Sequence, residues 1–264
     1  MIKLIASDLD GTLLPDDKTI PEKLFSLIEK LYADGILFMP ASGRQYASML
    51  EMFAPVKDKV MFMAENGALV MYREKKLHSV NLKSEDIIET LKFVRSNPHL
   101  HTLLCGEDCA YLEDNDGDFS AQSFRFYKNC KAVDRLEDVI CDGYFCKIAV
   151  FDDLGTKNHS AKILPEKIGN LVPVISGDVW FDVSGTTANK GDAIRNIQKR
   201  LLISPEECMA FGDQMNDYDM LRSCAHSFVP SNSVKRMKQD FADMGISNNE
   251  GAVILQIEKT LYGG

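Results

Sequence analysis

Residues 2–14 read IKLIASDLDGTLL. The run Ile2–Ala6 is apolar and rich in strand-favouring residues, and it leads into two aspartates, Asp8 and Asp10, followed by a Gly-Thr turn. A strand ending there presents both acids at its carboxyl end, where open α/β sheets build their sites. Residues two apart in an extended segment point to the same side, so the two carboxylates crowd each other. A hard cation such as Mg²⁺ between them relieves that repulsion. Gly11 permits a sharp turn, and Thr12 offers a hydroxyl and an amide to an anion. Nucleophile, second acid, metal ligands and oxyanion contacts within five residues make the outline of a phosphoryl-transfer site.

The 264 residues fit one large domain or two smaller ones, and 45% hydrophobic content supports a sizeable core. A formal net charge of −9 argues against general nucleic-acid or anionic-membrane binding. No apolar run is long enough to span a bilayer. Met1-Ile2-Lys3 enters the first strand directly, so a cytoplasmic protein with no signal peptide is expected.

Seven cysteines at 105, 109, 130, 141, 146, 208 and 224 include no CxxC, which argues against a disulfide framework. His99, His101 and Cys105 share parity on an expected strand and Cys109 follows a turn, an arrangement open to zinc or to a hairpin with half-buried thiols. The spacing matches no standard zinc site, and the hairpin is the expectation. The acidic run Glu113–Asp118 suggests a calcium loop, but Leu112 and Ser123 stand at its first and twelfth ligand positions. A solvated turn is expected.

Along the first third, strand and helix alternate. A helix is expected over Pro21–Asp34, with Leu24, Leu27, Ile28 and Leu31 at helical spacing and Gly35 at its end. ILFMPAS is a second strand, Arg44–Phe53 a helix, VMFMAENG a third strand, and ALVMYREKKLHSV a hairpin turning at Arg73–Lys76. From Ser84, which can cap a helix, the rhythm becomes helix followed by two strands, twice. That implies an antiparallel sheet with helices on one face. After Gly185 the earlier alternation resumes. The expected fold is α/β: a doubly wound, Rossmann-like parallel sheet (residues 1–82 and 186–264) with an inserted α+β domain at 83–185.

Three further segments fall at strand-to-helix transitions of the same core. In Ala41-Ser42-Gly43-Arg44 a hydroxyl and following amides open a helix, a favourable place for a phosphate. In Asn189-Lys190-Gly191 a lysine stands at a helix start, where the macrodipole opposes it unless an anion is near. In Gly212-Asp213-Gln214-Met215-Asn216-Asp217 a strand again ends in an aspartate. Singly, these read as a serine helix cap, a surface lysine and, at Asp217, a cap as readily as a ligand.

Taken in order, DLDGT at 8–12, Ser42 in ASGR, Lys190 in NKG and GDQMND at 212–217 resemble the four motifs of the haloacid dehalogenase-like phosphatases. The likeness is to the Cof-type branch with a large inserted cap, and ENGA at 65–68 matches a segment usual there. The resemblance implies that Asp8 is the nucleophile, forming an aspartyl phosphate, and Asp10 the general acid and base. It implies Mg²⁺ held by Asp8, the main-chain carbonyl of Asp10, and Asp213, with Asn216 and Asp217 orienting the water shell. Thr12, Ser42, Gly43, Lys190 and Asn216 would bind phosphoryl oxygens. As a free Asp titrates near 3.9, Asp10 would need a raised pKa or a transient proton.

The resemblance also orders the alternatives. Transport ATPases carry Thr where Asp10 stands, and the dehalogenases lack that second acid. A phosphatase of small phosphorylated metabolites is therefore expected, with a phosphomutase of the phosphomannomutase type as the alternative. A phospho-receiver or binding module is the rival from another class, but receivers are shorter and lack DxDGT. The implied substrates are sugar phosphates, pyridoxal phosphate, flavin mononucleotide or nucleotides, handled by a monomer or homodimer. The inserted domain would set substrate choice, with Ser176-Gly177-Asp178 and Trp180 as candidate contacts. One departure stands out: where the family often has Gly-Asn-Ala, this chain has Phe228-Val229-Pro230-Ser231-Asn232-Ser233.

Overall fold

The computed structural model describes residues 1–107, 109–113, 117–140 and 143–263. Cys141 and three residues of the acidic run, Asp114, Asn115 and Asp116, lie outside them. Two compact units result: Met1–Arg44, Met49–His78 and Asn189–Gly264 form one, and Gln45–Ser48 with Ser79–Ala188 the other.

The first unit opens with β1 (Leu4–Asp8), in which every residue is buried. Burial on both faces is what a continuous apolar run specifies for a central parallel strand. Next come α1 (Glu22–Ala33), β2 (Leu37–Ala41), α2 (Tyr46–Met52), β3 (Met61–Ala64), β4 (Leu69–Tyr72) and β5 (Lys75–Ser79). In α1 the expected stripe Leu24, Leu27, Ile28 and Leu31 is buried, each side chain contributing roughly 1.5–3 kcal/mol. Gly35, at φ +77°, ends that helix where a side chain would be strained. The β4–β5 hairpin turns in two residues, Arg73 and Glu74, both at positive φ. A two-residue turn of that hand matches strand twist and usually carries Asn-Gly. Here Arg73 donates from Nε to the Asp58 carbonyl at 3.0 Å and lies over the Tyr72 ring.

The second unit holds α3 (Ser84–Arg95), β6 (Leu100–Gly106), β7 (Ala110–Leu112), α4 (Gly117–Phe126), β8 (Cys130–Ala132), α5 (Glu137–Ile140), β9 (Phe145–Asp152), α6 (Ser160–Ile163), β10 (Val172–Ile175) and β11 (Trp180–Ser184). Its sheet runs β10-β11-β9-β6-β7-β8, antiparallel throughout except between β7 and β8. Strand alternation gives it two apolar faces. Leu104, Ile148, Val150, Phe181 and Val183 pack with Ile87, Leu91 and Val94 of α3. Leu103, Cys105, Ala149 and Phe151 pack instead with Phe119 of α4 and with Trp180. Helices therefore lie on both faces, a correction to the single helical face expected, because α4 brings its own apolar residue to the far side. Ser84 is the first helical residue, so Lys83 stands at the cap position, where it makes no side-chain capping bond. Trp180 belongs to this second cluster and donates from Nε1 to Gln122 Oε1 at 3.2 Å.

The chain then re-enters the first unit with α7 (Lys190–Leu201), β12 (Cys208–Phe211), α8 (Tyr218–Arg222), β13 (His226–Val229), α9 (Lys235–Asp240), β14 (Ala242–Asp243) and α10 (Ala252–Tyr262). The completed sheet runs β14-β13-β12-β1-β2-β3-β4-β5, parallel from β14 to β3. Among the described residues, no helix is long and apolar enough to cross a membrane.

Candidate active site

Parallel register brings the strand ends level. Asp8 pairs with Ala41, Ala41 with Met63, and Ser7 with Phe211. Asp8, Ser42, Glu65 and Asp213 consequently stand along or just beyond one edge, the carboxyl edge where such sheets place ligands.

Lys190 is fully buried at the first turn of α7, and its Nζ donates to Asp8 Oδ1 and to Asp217 Oδ1, each at 2.5 Å. Asn189 caps that helix by accepting from the Asp192 amide at 2.8 Å. Carboxylate oxygens of Asp8, Asp213 and Asp217 lie within 4.8 Å of one another, and all three residues are buried. One ammonium cannot balance three carboxylates. Burial pushes the Asp8 carboxyl up to about 8; Lys190 opposes this and Asp217 and Asp213 reinforce it. Asp213 is likewise raised by burial, against the Thr12 hydroxyl and with Asp217 adding to the rise. Lys190 is held charged: burial opposes the ammonium, but the two carboxylates outweigh it. A buried surplus of negative charge with oxygen-only donors fits a hard divalent cation.

Glycines make this packing possible. Gly11 sits at φ +86°, and a side chain there would meet Asp213 Oδ2 at 2.7 Å. Gly212 faces Asp217, whose Oδ2 accepts from the Asp213 and Gln214 amides at 3.1 Å each.

Asp10 does not join the cluster with its carboxylate. Arg44 clamps it, Nε donating to Oδ2 at 2.9 Å and Nη2 to Oδ1 at 2.7 Å, and Lys18 Nζ lies 3.1 Å from Oδ1. Burial favours its neutral form, but these cations outweigh burial and hold the carboxyl below the usual range. The raised pKa considered for Asp10 is therefore not found. The Thr12 hydroxyl donates to Asp213 Oδ1 at 2.8 Å and so braces a carboxylate of the cluster. Asp217, placed by sequence in the water shell, stands inside the carboxylate cluster.

The remaining residues form a second side of the site. The buried Ser42 accepts at Oγ from the Arg44 amide at 3.2 Å. Asn216 donates from Nδ2 to Asn66 Oδ1 at 3.3 Å. Gly43 leaves the space into which the Asn66 amide fits. Asn232 donates to the Gly11 carbonyl at 2.7 Å and accepts from the Asn248 amide at 3.1 Å, so the departing 228–233 segment braces the first motif's turn. Arg44 and Asn66 carried no role from sequence. Their signal was present, since each lies inside a quoted motif, ASGR or ENGA.

The histidine–cysteine stretch makes no group of three metal-capable side chains among the described residues. Among the described residues, the Asp8–Asp213–Asp217 cluster is the one set of three or more metal-capable side chains. Cys105 and Cys109 are buried rather than half-buried, and His101 stacks on Phe119.

A family model described as haloacid dehalogenase-like hydrolase matches residues 5–257. The 5-amino-6-(5-phospho-D-ribitylamino)uracil phosphatase YbjI of Escherichia coli is 29% identical over 98% of this chain and 96% of its own. The HMP-PP phosphatase of Yersinia pseudotuberculosis is 27% identical, over 93% and 90%. The solved structure of SMU.1108c from Streptococcus mutans superposes with a TM-score of 0.84 at 26% identity, covering 99% of both chains. With a match across nearly the whole chain and curated relatives that are phosphatases, this enzyme belongs to the haloacid dehalogenase-like hydrolase family.

Proposed function

We propose that the chain is a Mg²⁺-dependent phosphatase of small phosphorylated metabolites that works through an aspartyl phosphate on Asp8. The observation that carries this is the buried group of Asp8, Asp213 and Asp217 around a single Lys190 ammonium. Asp8, Asp213 and the Asp10 main-chain carbonyl would hold the metal, with Asp217 beside them. When bound, Mg²⁺ offsets the charge of carboxylates and phosphoryl oxygens and orients them for attack.

Asp8 attacks phosphorus as its bond to the leaving oxygen breaks, and that oxygen takes a proton from Asp10. Water then attacks phosphorus, the bond to Asp8 breaks, and Asp10 takes the water's proton. In its ion pairs with Arg44 and Lys18, Asp10 is ionised and ready for the second step. The first step requires it to acquire a proton as Arg44 yields. Ser42, Gly43, Lys190 and Asn216 bind phosphoryl oxygens, and Lys190 balances the gathering charge.

Residues 1–82 and 186–264 are the catalytic core in this reading, and 83–185 are a cap that selects the leaving group. The Escherichia coli relative is named for a phosphorylated ribityl-substituted pyrimidine, so flavin mononucleotide and sugar phosphates head the candidate substrates. A net charge of −9 supports free cytoplasmic metabolites over nucleic acid or membranes, acted on by a monomer or homodimer. The test is a screen of purified protein against phosphorylated metabolites with Mg²⁺ and with chelator, coupled to mass analysis of trapped enzyme. Phosphate release that needs Mg²⁺, with phosphate trapped on Asp8, is expected. Phosphate on another residue overturns the proposal.

A further inference from the structure

The turn Glu65-Asn66-Gly67 has three consecutive residues at positive φ: 49°, 54° and 95°. Left-handed backbone costs an L-residue roughly 1–2 kcal/mol, and Asn tolerates it better than most. Such strain persists only where the surroundings over-determine it, and it gathers at binding sites.

The surroundings here are the anion-binding motifs themselves. The Glu65 amide donates to the Arg44 carbonyl at 3.1 Å, and the Asn66 amide donates to the Ser42 carbonyl at 2.9 Å. Gly67 presses against the start of α7 so closely that a Cβ there would meet the Asn189 carbonyl oxygen at 2.5 Å and the Lys190 nitrogen at 2.8 Å. One three-residue turn thus touches the segments that carry Ser42, Gly43 and Lys190. Its middle side chain reaches a third segment, because Asn66 Oδ1 accepts from Asn216. Asn66 Nδ2 lies beside Gly43, 3.0 Å from the place a Cβ would take. Among the described residues it donates to no protein acceptor. Glycine would meet the backbone demand at position 66 with less strain, so the amide is there for what it touches.

We propose that Asn66 is a phosphate-binding residue: Oδ1 positions Asn216, and Nδ2 donates to a phosphoryl oxygen seated against Gly43. This rests on the phosphoryl-transfer reading of Asp8.

Three variants, Asn66→Gly, Asn66→Asp and Asn216→Ala, are compared with the native protein. The readouts are turnover of p-nitrophenyl phosphate, inhibition by orthophosphate, and thermal unfolding. Asn66→Gly keeps the left-handed turn, so its melting temperature is expected to equal or exceed the native value. Its kcat/KM should fall about 10- to 100-fold and its phosphate inhibition constant rise about 10-fold, as for loss of one donor to a charged oxygen. Asn66→Asp should lose more, since a carboxylate repels the anion. Combined with Asn216→Ala, Asn66→Gly should cost less than the product of the two single losses. Native kinetics in Asn66→Gly, or native kinetics in Asn66→Asp, would overturn the proposal. Asp8→Asn serves as the separate control: if it stays active, the phosphoryl-transfer reading fails, whereas a dead Asp8→Asn beside a native-like Asn66→Gly refutes the Asn66 role alone.

Discussion

Arg44 grips Asp10 through both carboxylate oxygens, at 2.9 and 2.7 Å, from the residue just past the proposed phosphate-binding serine and glycine. Planar two-point pairing of this kind is specific to guanidinium; an ammonium cannot reproduce it. Arg44→Lys should therefore keep the charge but lose the orientation. A fall of about 10-fold or more in kcat, with a smaller change in KM, is expected. Steady-state kinetics check this, and an unchanged kcat would show that the clamp does not position Asp10.

Asp8→Asn should abolish turnover while raising stability. It removes one of three buried carboxylates gathered on one ammonium, so the surplus charge falls. A gain of about 1 kcal/mol would raise the melting temperature by about 2–4 °C. Lys190→Met should do the reverse, costing about 3–5 kcal/mol by leaving buried charge unpaired. Thermal unfolding in chelator decides between these signs.

Mg²⁺ at about 100 times its dissociation constant should stabilise the native protein by about 2.7 kcal/mol. Asp213→Asn should lose most of that gain. Equal thermal shifts in the two proteins would remove Asp213 from the metal site.

In the inserted unit, the Arg95 guanidinium beside Glu137 holds its carboxyl down at about 2. A folded value below the unfolded 4.5 adds stability that is fully present above pH 4.5 and lost as pH falls through about 2. Both side chains are partly solvated, so about 1 kcal/mol is the expected scale. The stability difference between native protein and Glu137→Gln should shrink to nothing between those pH values. A difference that grows on acidification would contradict the assignment.

Leu202 caps α7 in the left-handed region at φ 55°, with 87% of its surface exposed. Leu202→Gly should relieve that strain without uncovering core and stabilise by about 0.5–1 kcal/mol. Denaturant unfolding will register it.

Local pattern made the core elements legible. An apolar run ending in Asp, repeated at Asp8 and Asp213, places each acid at a strand end, and the 24-27-28-31 spacing of α1 sets its buried stripe. What stayed hidden depends on partners distant in sequence. Whether Asp10 faces a metal or a cation is decided by Arg44, 34 residues on, and Thr12 bonds Asp213 from 201 residues away. Strand β14 has only two residues, too short for any period to register. The position of α4 turns on Phe119, whose spacing carries no sign of which sheet face it will cover.

The place of β1 also sets a timetable for synthesis. Leu4 pairs with Cys208, so the strand that ends in Asp8 waits for a neighbour made roughly 200 residues later. At ribosomal rates of about 5–20 residues per second, that delay is roughly 10–40 s. Throughout it, a strand destined to be wholly buried has one open edge, the condition that invites pairing with other chains. The intervening 100-odd residues, with their own sheet and two apolar clusters, emerge and can fold first. A nascent chain stalled before Cys208 should thus expose its N-terminal residues to protease while the inserted unit resists.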